Sequence, residues 1–183
     1  MATAPSAATL TKAVDFDLRG TDGRRYRLAD VRGAKATLVM FICNHCPYVQ
    51  AVLDDIIRDV RELQPLGVGA IAIMPNDTAA YPADSLDNMK RLAEAKGFPF
   101  PYVIDETQEV ARTYGAVCTP DFFGFNAASE LQYRGRIYAV RNLQRLPGSK
   151  RELFDAMAEI ARTGKGPAEQ YPSMGCSIKW RRE

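Results

Sequence analysis

Ala36-Thr-Leu-Val-Met-Phe-Ile-Cys-Asn-His-Cys-Pro-Tyr-Val49 carries the decisive reading of this chain. Its first half, Ala36–Ile42, is an unbroken apolar run with β-branched and aromatic members, the pattern of a central strand covered on both faces. From Pro47 to Leu63 the apolar residues Val49, Val52, Leu53, Ile56, Ile57, Val60 and Leu63 recur at helical spacing. Asp54, Asp55, Arg58, Asp59 and Arg61 take the opposite face. A buried strand therefore runs into an amphipathic helix, and Cys43-Asn-His-Cys-Pro47 is the joint between them.

Outward from the joint, elements alternate. Asp15–Leu18 and Tyr26–Leu28 flank Gly20-Thr-Asp-Gly23 and predict two short strands about a turn. Val68–Ile73 is a second buried strand. After a polar loop with two prolines, a helix is expected over about Leu86–Lys96, capped by Asp84 or Ser85 and closed by Gly97. Tyr102–Ile104 reads as a strand and Thr107–Tyr114 as a short helix. Phe122–Phe125 and Leu131–Gly135 form a hairpin across Asn126–Glu130, and Lys150–Arg162 is the last helix. Alternating β and α segments imply parallel strands with helices on both faces, and the closing hairpin makes the sheet mixed. The expected organisation is a flexible start (1–13), one α/β domain (14–162) and a tail (163–183) that carries Cys176 and packs on the domain.

Composition narrows the function. The 183 residues suit one domain able to bury a core without staples. With 24 basic against 22 acidic residues the net charge is +2, too balanced for a nucleic-acid face. No apolar run reaches the ~18 residues of a membrane span. The N-terminal stretch lacks the cationic start and apolar core of a secretory signal, so the expected compartment is the reducing cytoplasm. There, four cysteines favour catalysis or metal binding over a structural disulfide framework.

A lone C-x-x-C is half a zinc site, a dithiol redox pair or chance. Zinc needs four ligands, usually a second close pair, and Cys118 and Cys176 are isolated. Placement at a strand-to-helix joint favours the redox pair. A helix N-terminus offers unpaired N–H groups and a partial positive charge, both of which favour a thiolate. Cys43 is expected as the exposed, attacking thiolate and Cys46 as the more buried sulfur that resolves the mixed disulfide. Pro47 suits the first helical turn, where a missing N–H is no loss. His45, the only histidine, as a cation would stabilise the Cys43 thiolate. Thr119-Pro120, just before a strand, is an X–Pro bond open to the cis isomer, and its backbone is expected to dock an incoming peptide in β fashion. Cys118 and Cys176 are possible additional redox thiols. Tyr48, Tyr81, Phe100 and Tyr102 are candidates to line a substrate groove, and Ile178 and Trp180 to anchor the tail.

A strand, C-x-x-C-Pro at a helix start, and Thr-Pro before a β-hairpin resemble the thioredoxin fold. Pro120 lies farther from Cys46 than in plain thioredoxin, which implies an inserted βα segment, as in peroxiredoxin-like proteins. The stretches Phe41–Val49, Ala116–Phe123 and Gly175–Trp180 resemble a bacterial branch of the redoxin family, also called the alkyl hydroperoxide reductase/thiol-specific antioxidant family. The resemblance spans about residues 14–180. It implies a thiol–disulfide oxidoreductase with antioxidant activity and a redox-active disulfide, needing no cofactor and no metal. The implied partners are a disulfide-containing protein or small-thiol substrate, or a hydroperoxide, with an upstream thiol reductant. The alternatives are a thiol peroxidase and a metal-binding module.

The pattern also departs from its relatives. The buried acid that thioredoxins hold six residues before the first cysteine is Thr37 here, so proton removal from Cys46 is expected to fall to Asp105, Glu106 or water. Aligning the peroxiredoxin cysteine on Cys46 puts Cys43 where those proteins have a threonine and Val39 where they have a proline. Arg136 or Arg141 is the candidate to orient a peroxide.

Overall fold

The structure is a computed structural model that describes the backbone of Ala2–Thr3 and residues 10–182. Its elements begin with β1 (Ala2–Thr3), β2 (Asp17–Gly20), β3 (Arg25–Arg27), the single-turn α1 (Leu28–Val31), β4 (Ala36–Phe41) and α2 (Pro47–Leu63). Next come β5 (Val68–Met74), α3 (Leu86–Lys96), β6 (Tyr102–Ile104), α4 (Glu109–Tyr114), β7 (Cys118–Thr119), β8 (Asp121–Asn126) and β9 (Leu131–Gly135). A small hairpin, β10 (Val140–Arg141) and β11 (Gln144–Arg145), precedes α5 (Glu152–Thr163) and β12 (Met174–Ser177).

Among the described residues a seven-stranded mixed sheet runs in the order β3-β2-β6-β5-β4-β8-β9. β4 pairs parallel with β5 and antiparallel with β8, which puts the decisive strand at the heart of the sheet. Its apolar run serves both faces. Ala36, Leu38, Met40 and Ile42 join one core cluster with α2 and α5. Val39 and Phe41 join a second, with Tyr114, Phe123 and Ile178. The α2 stripe is buried as its spacing requires, and each such side chain contributes about 1.5–3 kcal/mol of burial. No helix among the described residues is long and apolar enough to cross a membrane.

Helix limits follow the caps. Ser85, not Asp84, caps α3: its hydroxyl accepts the Asn88 N–H at 3.2 Å, and Gly97 closes the helix in the left-handed region. α5 starts two residues later than expected, and the predicted short helix begins at Glu109. Parts of the expected flexible start are paired. Ala2–Thr3 pairs antiparallel with β12, and the Ala13 N–H donates to the Ser129 carbonyl; residues 1 and 4–9 of that segment lie outside the described residues. The tail packs on the domain through β12, which pairs antiparallel with β7.

Candidate active site

β4 ends at the sheet's carboxyl edge and delivers Cys43 beneath the start of α2. Cys46 is the N-cap residue and Pro47 the first helical position. Opposite them the chain turns through β7 and a cis Thr119-Pro120 peptide. The Thr119 hydroxyl lies 3.5 Å from Cys43 Sγ, and the Cys46 thiol lies 3.3 Å from the Thr119 carbonyl oxygen. Fold and sequence therefore agree in bringing Cys43, Cys46, Thr119 and Pro120 together.

Three expectations change. Cys43 is not exposed: it is 1% accessible and Cys46 0%. The acidic sulfur is Cys46, not Cys43. Hydrogen bonding from the Cys43 thiol lowers Cys46 against the opposing cost of burial, assisted by the thiol and amide of Cys176 and by the Val49 amide. That last group aims at the sulfur without closing a capping hydrogen bond. The Thr119 carbonyl opposes ionisation by accepting from the neutral thiol, but the converging donors outnumber it. Cys43 is raised in turn, by giving its proton to Cys46, by burial and by the Asp84 carboxylate. Finally, the β7 backbone is not open to an incoming peptide, because β12 already pairs with it, Cys176 opposite Thr119 and Ser177 opposite Cys118.

Asp84 is the residue the sequence reading missed. Its wholly buried carboxylate accepts the Asn44 N–H at 2.8 Å and the Asn76 side-chain amide at 2.9 Å. His45 Nδ1 stands 2.6 Å from Asp84 Oδ2, though the two are not aligned as a hydrogen bond. Asp84 thus holds the His45 ring expected to serve Cys43. Tyr81 stacks on the His45 ring at 5.9 Å, and the Tyr102 hydroxyl donates to Asn44 Oδ1 at 2.8 Å. Two of the expected groove aromatics therefore hold the C-x-x-C loop, while Phe100 packs on Phe98.

The expected bases lie elsewhere. Asp105 accepts the Ala111 N–H at the start of α4, and Glu106 is an exposed partner of Arg19. Arg136 is held by Glu152 through two hydrogen bonds of 2.8 and 2.9 Å, and Arg141 is exposed on β10. Cys118 is buried on β7, its thiol donating to the Pro120 carbonyl at 3.7 Å.

Cys176 stands over the first turn of α2, its sulfur facing Cys46 and the Tyr48 amide. Burial, with the proton it gives to Cys46, pushes its thiol up to about 11. Beyond it Ile178 is buried and Trp180 lies under the Arg112 guanidinium at 4.4 Å, so both anchor the tail as expected.

Among the described residues, Cys43, His45 and Asp84 also form a group able to offer a metal ion three ligand atoms, all within 4.8 Å of one another. Two ligands of one tetrahedral zinc at ~2.0–2.2 Å stand roughly 3.3 Å apart. The 2.6 Å between His45 and Asp84 is too short for that.

A C-x-x-C dithiol at the head of the helix that follows a central strand, facing a cis-proline loop across the sheet edge, defines a thioredoxin-like redox protein. The chain belongs to the AhpC/TSA family, whose model matches residues 10–138. It is similar to an uncharacterized conserved protein from Geobacillus kaustophilus, with 41% identity over 96% of each chain and a TM-score of 0.89. A hypothetical protein from Sinorhizobium meliloti 1021 matches at 32% identity over 100% of each chain, with a TM-score of 0.92. A thiol:disulfide interchange protein of the thioredoxin family from Chlorobium tepidum TLS shares the fold at 21% identity, over 85% of this chain and 99% of that one, with a TM-score of 0.62. A search of curated proteins found no significant match.

Proposed function

We propose that the protein is a thiol–disulfide oxidoreductase that works through the Cys43–Cys46 dithiol in a reducing cytoplasm. The observation that carries this reading is the placement of both sulfurs at the head of α2 against Thr119 of the cis-proline loop, Cys43 Sγ 3.5 Å from its hydroxyl and Cys46 Sγ 3.3 Å from its carbonyl oxygen. In the forward direction, once β12 opens to uncover it, Cys46 attacks one sulfur of a substrate disulfide and the other leaves as a thiolate. The Cys43 sulfur then attacks Cys46 of the mixed disulfide, releases the second substrate thiolate, and closes the Cys43–Cys46 bond. Two electrons pass to the substrate, and an upstream thiol restores the dithiol. Asp84, beside Cys43, is the carboxylate placed to take the Cys43 proton in the second step.

A second reading has one observation in its favour, the Cys46-Pro47 pair at the start of α2, with Cys46 at the N-cap. There Cys46 thiolate attacks a hydroperoxide, leaving sulfenic acid and an alcohol or water, and Cys43 condenses with the sulfenic acid to a disulfide and water. The test is insulin-disulfide reduction run beside hydroperoxide consumption, with Cys43→Ser and Cys46→Ser. Expected is insulin reduction by the parent, none by Cys46→Ser, and much slower reduction by Cys43→Ser, which cannot form the Cys43–Cys46 disulfide. Fast peroxide consumption with insulin untouched would overturn the oxidoreductase reading in favour of the second.

A further inference from the structure

The tail is built into the site rather than laid across it. Gly175, Cys176 and Ser177 run antiparallel to β7, with Cys176 directly opposite Thr119. Thr119 is the residue whose hydroxyl and carbonyl touch Cys43 and Cys46. The register is pinned on both sides of Cys176. Upstream, the buried Ser173 hydroxyl donates to the Gly135 carbonyl at 2.6 Å. Gly175 passes so close to β7 that a Cβ there would lie 2.0 Å from the Thr119 oxygen. Downstream, the Ile178 N–H donates to the Val117 carbonyl at 3.1 Å, and the Lys179 N–H to Asn76 Oδ1 at 2.9 Å. Asn76 also holds Asp84, so one side chain fixes both the tail and the C-x-x-C loop. This strand takes the edge on which an extended peptide would dock, and the side chain it brings there is a cysteine. Cys176 is also only half-buried, unlike the other two sulfurs.

We infer that Cys176 is a third redox thiol of this site, which exchanges with the dithiol to form an intramolecular Cys46–Cys176 disulfide. The inference rests on the Cys43–Cys46 couple proposed above. From the oxidised couple, the Cys176 thiolate attacks Cys46 Sγ. The Cys46–Cys176 bond forms, the Cys43–Cys46 bond breaks, and Cys43 departs as a thiolate that takes up the proton Cys176 gave up. No electron is gained or lost, so the step needs no further oxidant. The disulfide moves from a fully buried pair to one that includes a half-exposed sulfur, where one outside thiol can attack Cys176 and release Cys46, and a second outside thiol then displaces Cys176 and carries the disulfide away.

The test uses the full-length Cys43→Ser protein, reduced, treated with oxidised glutathione, trapped with a maleimide after unfolding, and mapped by peptide mass spectrometry. The expected product carries most of Cys46 linked to Cys176, with Cys118 recovered as the maleimide adduct. Recovery of Cys46 mainly as its glutathione adduct or linked to Cys118 would overturn the inference. Wild type equilibrated in glutathione buffers gives a reading free of any substitution. Both the Cys43–Cys46 and the Cys46–Cys176 peptides are expected there. A Cys43–Cys46 peptide without the second removes the third thiol and leaves the dithiol reading standing. A protein that forms no Cys43–Cys46 disulfide and reduces no insulin removes the dithiol reading itself, and the Cys43→Ser map still decides whether Cys46 and Cys176 pair.

Discussion

Gly175→Ala is the sharpest perturbation of the tail. The added methyl would meet the Thr119 carbonyl oxygen at 2.0 Å and its carbon at 2.7 Å. Both are backbone atoms, so no side-chain rotation relieves the clash. An ordinary carbon–oxygen contact is about 3.3 Å, close to the separation of weak C–H···O contacts, so β12 must withdraw by more than an ångström. At that displacement the ladder bonds between Cys176 and Thr119 no longer meet hydrogen-bond geometry. Two backbone bonds at about 1 kcal/mol each, with part of the neighbouring packing, amount to about 2–3 kcal/mol of lost docking. Because the tail contributes no strand to the seven-stranded sheet, the loss falls on local opening more than on global unfolding. Cys46, wholly buried under Cys176 in the parent, is exposed in that opening. A change of 2–3 kcal/mol raises the open fraction about 30- to 150-fold, and the rate of Cys46 alkylation by iodoacetamide should rise by that factor. The assay is quenched alkylation with peptide mass mapping, with far-UV circular dichroism to show that the domain is folded. A Cys46 rate within about threefold of the parent would refute the argument that β12 closes the site.

Other outcomes follow from the same contacts. With Cys46 held down to about 5, its alkylation in the wild-type protein should be near its plateau at pH 7 and lost as pH falls through 5. An ordinary thiol with a pKa of about 8.5 would be only a few per cent ionised at pH 7, so a Cys46 midpoint above pH 8 would contradict the donor arrangement. Asp84→Asn removes the negative charge that raises Cys43. Its amide oxygen still accepts the Asn44 N–H, so the Cys43 alkylation profile should move to lower pH with the helices intact by circular dichroism; an unmoved profile argues against the coupling. Asp121 is pushed up to about 6 by burial, which outweighs its 3.2 Å pairing with Arg134. A folded-state carboxyl above its unfolded value of about 3.9 favours the folded state below pH ~4, and that contribution, at most about 3 kcal/mol, is lost as pH rises through 6. The urea midpoint should fall across that window, and Asp121→Asn should flatten that slope. Ile56→Ala, at a fully buried position on α2, should cost about 2–5 kcal/mol by urea unfolding.

What could be read from the sequence divides by the range of the interactions. α2 is legible to the residue because its stripe, its proline start and its length are local signals, and β4 because a strand buried on both faces needs an unbroken apolar run. The joint between them is legible for the same reason, and with it the positions of Cys43 and Cys46. β12 is not. Met174-Gly-Cys-Ser177 has no alternation and little β-propensity, and it becomes a strand only because β7, far away in sequence, offers an edge. Which of the two sulfurs is the more acidic fails to read out for the same reason. A helix N-terminus favours charge on either cysteine, and the choice between them is made by the Asp84 carboxylate against Cys43 and the Cys176 thiol and amide facing Cys46.

Asp84 left one trace in the sequence. Asp84 and Ser85 compete for a single N-cap, and once Ser85 fills it the other side chain is an acid in a two-proline loop without a helix to serve. Burying a carboxylate costs several kcal/mol unless it is paired. Here the partners are the Asn44 amide, the Asn76 side chain and His45, and all but Asn76 belong to the C-x-x-C loop. Asn76 in turn accepts from the tail. The buried acid is therefore satisfied only when loop and tail are both seated, which ties the charge beside Cys43 to the position of Cys176. Releasing the tail should thus leave the carboxylate one donor short of its full set as well as uncovering Cys46, so Asn76→Ala should loosen both segments together: Cys46 and Cys43 alkylation should accelerate in the same protein, and acceleration of one without the other would break the link.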